Sequence, residues 1–189
     1  VEPLLEALED PRYAAGRAEL ADVLVSLMLR VEDPRIVTAL QQHVLNDPDA
    51  RVRGRIASKL ATHKNAKFTE VFFQALQDTS GVVRHQAMNA LDLLENEFDE
   101  TSKERLRQQA RNMLEDPHRD ARIEAMFVVE DHVAQLVKQA REQAIKADLE
   151  GADSLFSAAL AFSPTSHRAN YYLGRFYMEN DQPERGMQI

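Results

Sequence analysis

Catalysis near neutral pH needs side chains that can hold a proton, bind a metal or attack as a nucleophile, and this chain is poor in the usual sets. It has no cysteine, so thiolate nucleophiles, thiolate metal sites and disulfides are absent together. The histidines are His43, His63, His85, His118, His132 and His167. None is followed by Glu, and no H-E-x-x-H places two imidazoles on one helix face for zinc. No G-x-x-x-x-G-K-[ST] or G-x-G-x-x-G cradles a phosphate, and no G-x-S-x-G raises a serine. His132 follows Glu130 and Asp131, but adjacent helical residues point apart and no i+4 partner completes a site; a solvated helix end is expected there. His85 is expected on a helix surface. The expectation is therefore no catalytic residue, no metal and no cofactor.

Binding chemistry is better represented. Residues 50–69 contain no acid, yet carry Arg51, Arg53, Arg55, Lys59, Lys64 and Lys67 besides His63. On a helix Arg51, Arg55 and Lys59 fall at i, i+4 and i+8 and share a flank. In a chain of net charge -8 this is a local reversal of sign. One reading is a solvated face, offset by Glu95, Glu97, Asp99 and Glu100. The other is a docking patch for an acidic protein segment.

Such residues need elements to position them. The 189 residues are 44% hydrophobic and 29% charged, a globular composition with material for a sizeable core. A pI near 5.3 argues against nucleic acid as a partner. The most apolar stretch, Val23 to Leu29, is too short to cross a bilayer, and no leader pattern is expected at the start. The compartment stays open, with the cytoplasm favoured over the periplasm.

Ala and Leu outnumber Val, Ile and Thr, and there are only 6 Gly and 7 Pro, which favours helix over sheet. Asp10-Pro11, Asp33-Pro34, Asp47-Pro48 and Asp116-Pro117 each set a capping carboxylate before a residue suited to the first helical position. Apolar residues recur at helical spacing in Val52, Ile56, Ala57 and Leu60, in Val83, Ala87, Met88 and Leu91, and in Ala121, Ala125, Met126 and Val129. These signals predict helices over Glu2–Leu8, Pro11–Arg30, Pro34–Leu45, Pro48–Thr62, Ala66–Leu76, Gly81–Glu95, Ser102–Leu114, Pro117–His132, Val133–Leu149, Ala152–Phe162, Ser166–Glu179 and from Pro183 onward, with essentially no sheet.

Four stretches superpose: Glu9–Leu24, Asn46–Ala61, Gln77–Asp92 and Glu115–Glu130. Each has Asp at its second position (Asp10, Asp47, Asp78, Asp116). The last three have Arg at the eighth (Arg53, Arg84, Arg122), and all are apolar at the fifteenth (Val23, Leu60, Leu91, Val129). Each follows an amphipathic helix ending in Leu, so the unit is helix, tight turn, helix. This series resembles HEAT repeats of the short bacterial kind over residues 1–132. The resemblance implies that Asp47, Asp78 and Asp116 stack with Arg53, Arg84 and Arg122 in an inter-repeat ladder. The first unit departs, with Gly16 in the arginine's place and Arg17 one place late.

From Val133 the pattern changes. Phe156, Ala159, Leu160 and Pro164, then Ala169, Leu173, Gly174, Tyr177 and Gly186, resemble tetratricopeptide repeats over residues 133–189. Gly174 and Gly186 would let two helices approach closely. Groove-facing positions implied by that resemblance are Arg168, Tyr171, Arg175 and Met178, whose guanidiniums would suit a peptide carboxylate.

The expected fold is all-α, a right-handed α-solenoid of antiparallel helix pairs. Neither end carries a polar cap, so the chain is expected to be a segment of a longer protein. The expected function is a non-catalytic scaffold binding a protein or peptide partner, acidic in character, without membrane insertion. The alternatives are an accessory module of a larger enzyme or electron-transfer protein, or a HEAT-type enzyme such as a lyase.

Overall fold

A computed structural model describes residues 1–10, 12, 14–180 and 182–186. In chain order the helices are α1 (Glu2–Leu8), α2 (Ala14–Met28), α3 (Pro34–Asn46), α4 (Ala50–Thr62), α5 (Thr69–Ala75), α6 (Gly81–Leu94), α7 (Glu100–Met113), α8 (Arg119–Ile145), α9 (Leu149–Phe162), α10 (His167–Glu179) and α11 (Pro183–Gly186). Single 3-10 turns lie at Ala66–Phe68 and Glu95–Glu97, and no strand occurs among the described residues. The expected helix starts at Pro11, and residues 187–189 of the last expected helix, lie outside the described residues.

The chain divides into two compact units, Val1–Ala125 and Met126–Ile189. In the first, α1 pairs with α2, α3 with α4 and α5 with α6. The second helices of successive pairs stack as α2, α4, α6, and α3 packs on α5. This is an α-solenoid. A single hairpin has one apolar stripe and cannot bury it alone; the neighbouring hairpin supplies the other dry side. Val52, Ile56, Ala57 and Leu60 of α4, and Val83, Ala87, Met88 and Leu91 of α6, are fully buried. Leu8, Leu24, Ile36, Leu40, Phe68 and Phe72 fill the layers around them.

In the second unit α10 packs on α9 and α11. Its core joins Val133, Val137 and Ala140 of α8 to Ala152, Phe156 and Ala159 of α9 and Ala169, Leu173, Phe176 and Tyr177 of α10. A Cβ built on Gly186 would stand 3.0 Å from the Gly174 carbonyl oxygen, so the approach of α11 to α10 depends on that position being small.

Several expectations need correction. No break divides Pro117–His132 from Val133–Leu149, because α8 (Arg119–Ile145) runs unbroken across His132–Val133; it ends at Ile145, and Leu149 opens α9. The residues at that point, Glu130 to Gln135, include no Gly, Pro or Asn to stop a helix. His132 therefore lies inside a helix rather than at a solvated end, with its ring edge-on to Phe162 at 4.7 Å. Met126 is 46% exposed: the buried stripe of α8 is Ala121, Ala125, Val128 and Val129, and Met126 lies about 100° beyond it.

The Asp-Pro pairs also divide into two kinds. Asp33 caps α3, accepting the Arg35 N–H at 3.0 Å, with Pro34 at the first helical position. Asp47 does not cap α4. The helix begins at Ala50, capped by Asp49 through the Arg51 N–H at 2.8 Å. Likewise α8 begins at Arg119, and Asp116 accepts the His118 N–H at 2.7 Å. Asp47 and Asp116 sit back in the turn, where their carboxylates meet other repeats.

Candidate functional site

Two assemblies of polar side chains stand out, one in each unit. In the first unit a line of guanidiniums and carboxylates crosses the turns. Arg17 donates from Nε to Asp47 Oδ2 at 2.9 Å and from Nη2 to Asp47 Oδ1 at 3.0 Å. Arg53 grips Asp78 the same way at 2.6 and 2.7 Å, and Arg84 grips Asp116 at 2.6 and 2.7 Å. Each arginine spends its remaining Nη1 on the carbonyl of its own turn aspartate: Arg17 on Asp10 at 2.8 Å, Arg53 on Asp47 at 2.7 Å, Arg84 on Asp78 at 2.7 Å. Each gripped aspartate also accepts the backbone N–H two residues on, from Asp49, Ser80 and His118. Both forks of the guanidinium and most carboxylate lone pairs are thus satisfied, which is what makes burial of these ions tolerable.

The geometry sets the electrostatics. Burial alone would raise the Asp47 carboxyl; bonds from Arg17, the Asp49 N–H and His43 outweigh it and hold Asp47 below its ordinary range. For Asp78 burial is likewise overcome by Arg53 and the Ser80 N–H. At Asp116 the Arg84 bond leads, against burial. His43 lies at the first rung, its Nδ1 3.1 Å from Asp47 Oδ2 and its Nε2 3.1 Å from Glu9 Oε1.

Arg17 is the residue that sequence reasoning placed off the pattern. The first turn has one extra residue: Asp10 to Arg17 spans seven positions, whereas Asp47 to Arg53 spans six. The slip carries through the helix. Val23, the nominal core position, is 49% exposed, and Leu24 is fully buried instead. Shifting the first stretch by one residue after the turn, so that Arg17 and Leu24 move together, was the available signal. Arg122 has the Nη1 bond, to the Asp116 carbonyl at 2.5 Å, and no carboxylate among the described residues.

The three cations on the basic flank of α4 share two carboxylates. Arg51 pairs with Asp49 at 2.6 Å, Arg55 with Asp22 at 2.6 Å, and Lys59 stands 3.5 Å from Asp22. The Arg51 hydrogen bonds draw Asp49 down to about 2. The counter-charges come from the cap of the same helix and from α2, not from Glu95, Glu97, Asp99 or Glu100. His85 is partly covered, with Nε2 3.7 Å from Glu124 Oε2.

In the second unit a cleft of about 350 Å³ opens between α8 and α10 over α9. Its floor is Ala144, Phe156 and Phe176, and Arg141, Tyr172 and Arg175 stand around it. The Arg141 guanidinium lies 4.7 Å from the Tyr172 ring centroid, an arrangement that orients it with no carboxylate paired to it among the described residues. Arg175 Nε donates to Glu179 Oε1 at 2.6 Å, and both side chains are more than half exposed. Of the four groove positions expected on α10, only Arg175 lines this cleft. Arg168, Tyr171 and Met178 are exposed on an adjoining face, with Tyr171 edge-on to Tyr172 at 5.1 Å. Sequence reasoning missed Arg141, Phe156, Tyr172 and Phe176 as cleft residues. The i, i+3, i+4, i+7 series Tyr172, Arg175, Phe176, Glu179 was the signal for α10.

The far side of α10 is tied down separately. The Tyr177 hydroxyl donates to Asp153, Arg185 lies 4.2 Å over the Tyr177 ring, and its Nη2 reaches Asp153 Oδ2 at 3.3 Å. Burial and then the Asp153 bond push the Tyr177 phenol up. Among the described residues no group of three or more His, Asp or Glu side chains is placed to hold a metal ion, and no helix is long and apolar enough to cross a membrane.

A family model for HEAT repeats matches residues 1–91 and 37–126. No curated protein matches the chain.

Proposed function

This chain belongs to the HEAT-repeat family, and from that premise we propose that it is a non-catalytic protein-interaction scaffold holding an extended, acidic peptide in the cleft between α8 and α10. HEAT repeats are commonly protein-interaction scaffolds and typically lack catalysis. The observation that carries the reading is the cleft itself: an apolar floor with two guanidiniums at its edge. Arg141 is held by an aromatic face and has donors to spare. Arg175 is engaged by an exposed carboxylate one turn away on its own helix; pairs of that kind are worth little and exchange readily for a ligand carboxylate. The floor would take a bulky aliphatic or aromatic side chain, and the arginines the acidic group beside it.

The finer divisions belong to the same reading: HEAT-like repeats over 1–132, tetratricopeptide-like repeats over 133–189, and a right-handed superhelix. The tetratricopeptide likeness is supported by the burial of Ala152, Phe156, Ala159, Ala169, Leu173 and Tyr177 in one core and by the Gly174–Gly186 approach. The basic flank of α4 is the weaker docking candidate, since each of its three cations already has a carboxylate within 3.5 Å.

Selection of displayed random peptides on the intact chain tests this function. The expected result is enrichment of sequences with Asp or Glu beside a large apolar residue. The chain carrying Arg141→Ala and Arg175→Ala together is expected to lose at least tenfold of that enrichment while keeping its helical circular dichroism. Equal enrichment on both chains, or none on either, overturns the proposal.

A further inference from the structure

The arginine ladder is used three times in full and once in part. Arg17, Arg53 and Arg84 each anchor Nη1 on the carbonyl of their own turn aspartate and present the Nε–Nη2 edge to the next repeat's aspartate. Arg122 makes the anchoring bond, Nη1 to the Asp116 carbonyl. Its Nε–Nη2 edge has no carboxylate among the described residues, and the side chain is partly exposed. A guanidinium is planar, so fixing Nη1 restricts where the other edge can point. The ordering that the other three rungs need is already in place at the fourth.

We propose that the Nε–Nη2 edge of Arg122 is a docking site for an aspartate in the turn of a helical hairpin belonging to a partner chain. The occupant is defined by the three examples within this molecule. Asp47, Asp78 and Asp116 each accept two guanidinium N–H groups and, through Oδ1, the backbone N–H two residues on. A carboxylate must be on a short side chain to close that backbone loop while facing outward, which selects Asp over Glu. The partner is therefore another helical-repeat or hairpin protein, offering the same Asp-x-x turn that this chain offers itself. The site uses none of the cleft's residues and stands or falls independently of it.

The probe is the end-capped hexapeptide of residues 77–82, Gln-Asp-Thr-Ser-Gly-Val, whose only carboxylate is the one that Arg53 grips. It is titrated into the intact chain labelled at arginine nitrogen, and the Nε–H resonances are followed by NMR. The expected result is a saturable shift of Arg122, with the Asp78→Asn version of the peptide at least tenfold weaker. In the Arg122→Lys chain, which keeps the charge but loses the two-pronged edge, the peptide is expected to bind at least several-fold more weakly, with the circular dichroism unchanged. An Arg122 shift no larger than that of exposed Arg119, or an equal response to the Asp and Asn peptides, overturns the proposal.

Discussion

Replacing Asp47 by Ala separates a structural ladder from a decorative one. Asp47 is 3% exposed and its partner Arg17 is also 3% exposed. The carboxylate takes four contacts: two from Arg17 at 2.9 and 3.0 Å, one from the Asp49 N–H at 2.9 Å and one from His43 at 3.1 Å. Its removal leaves a buried guanidinium with only the Asp10 carbonyl and orphans a backbone N–H. Breaking a buried pair from one side costs about 3–5 kcal/mol, because the surviving charge stays desolvated. At about 4 °C per kcal/mol for a unit of this size, the melting temperature should fall by roughly 12–20 °C. Urea unfolding followed by circular dichroism reads the change directly. Two controls fix its meaning. Arg122→Met, at the open rung, should cost less than about 1 kcal/mol. The double replacement Arg17→Met with Asp47→Leu should recover at least about half of the single-variant loss, since no unpaired charge remains. Asp47→Ala and Arg122→Met costing the same small amount would refute the reasoning.

Three further outcomes are expected. Asp47, Asp78 and Asp116 are held below the ordinary value of 3.8 in the folded chain, so the unfolded chain binds their protons first. Their contribution is fully present above that value and is lost as the pH falls through the folded values; acid titration of stability should show loss beginning just below pH 4, shallower in Asp78→Asn. A Cβ at Gly81 would meet His118 Cβ at 2.2 Å, whereas one at Gly54 would meet Val82 Cγ1 at 3.5 Å and Val83 Cγ2 at 3.8 Å, both ordinary contact distances. Gly81→Ala should therefore destabilise, and Gly54→Ala should gain up to about 1 kcal/mol from helix propensity, both measured by thermal melts. Ala147 ends α8 at φ 62, with the Asp148 N–H reaching the Gln143 carbonyl at 3.0 Å. Gly at that left-handed position should stabilise by roughly 0.5–1 kcal/mol, and no gain in the melt would count against the turn.

Periodicity is a local property, and where packing follows the local stripe the sequence was easy to interpret. Val52, Ile56, Ala57 and Leu60 are spaced to fall on one helix face, and that face is the buried one. Features that depend on register between elements were harder. Asp47-Pro48 looks like a cap because capping needs only neighbours, yet the carboxylate faces Arg17 thirty residues away. One extra residue before Arg17 moves the arginine and the core together, so comparing positions one at a time suggested a missing rung. The continuity of α8 was hidden because a stretch with no strong stop signal was divided at His132 to match two repeat patterns. The cleft was least legible. Arg141 and Phe156 line it from different helices, and no spacing within one helix places them around the same space.

Calorimetric titration of a peptide selected on the intact chain tests the scaffold function most directly. The predicted result is one binding site per chain, weakened at least tenfold by Arg141→Ala and by Arg175→Ala alike, and unchanged by Arg55→Ala on the flank of α4. Binding that survives both cleft variants and disappears with Arg55→Ala would contradict it.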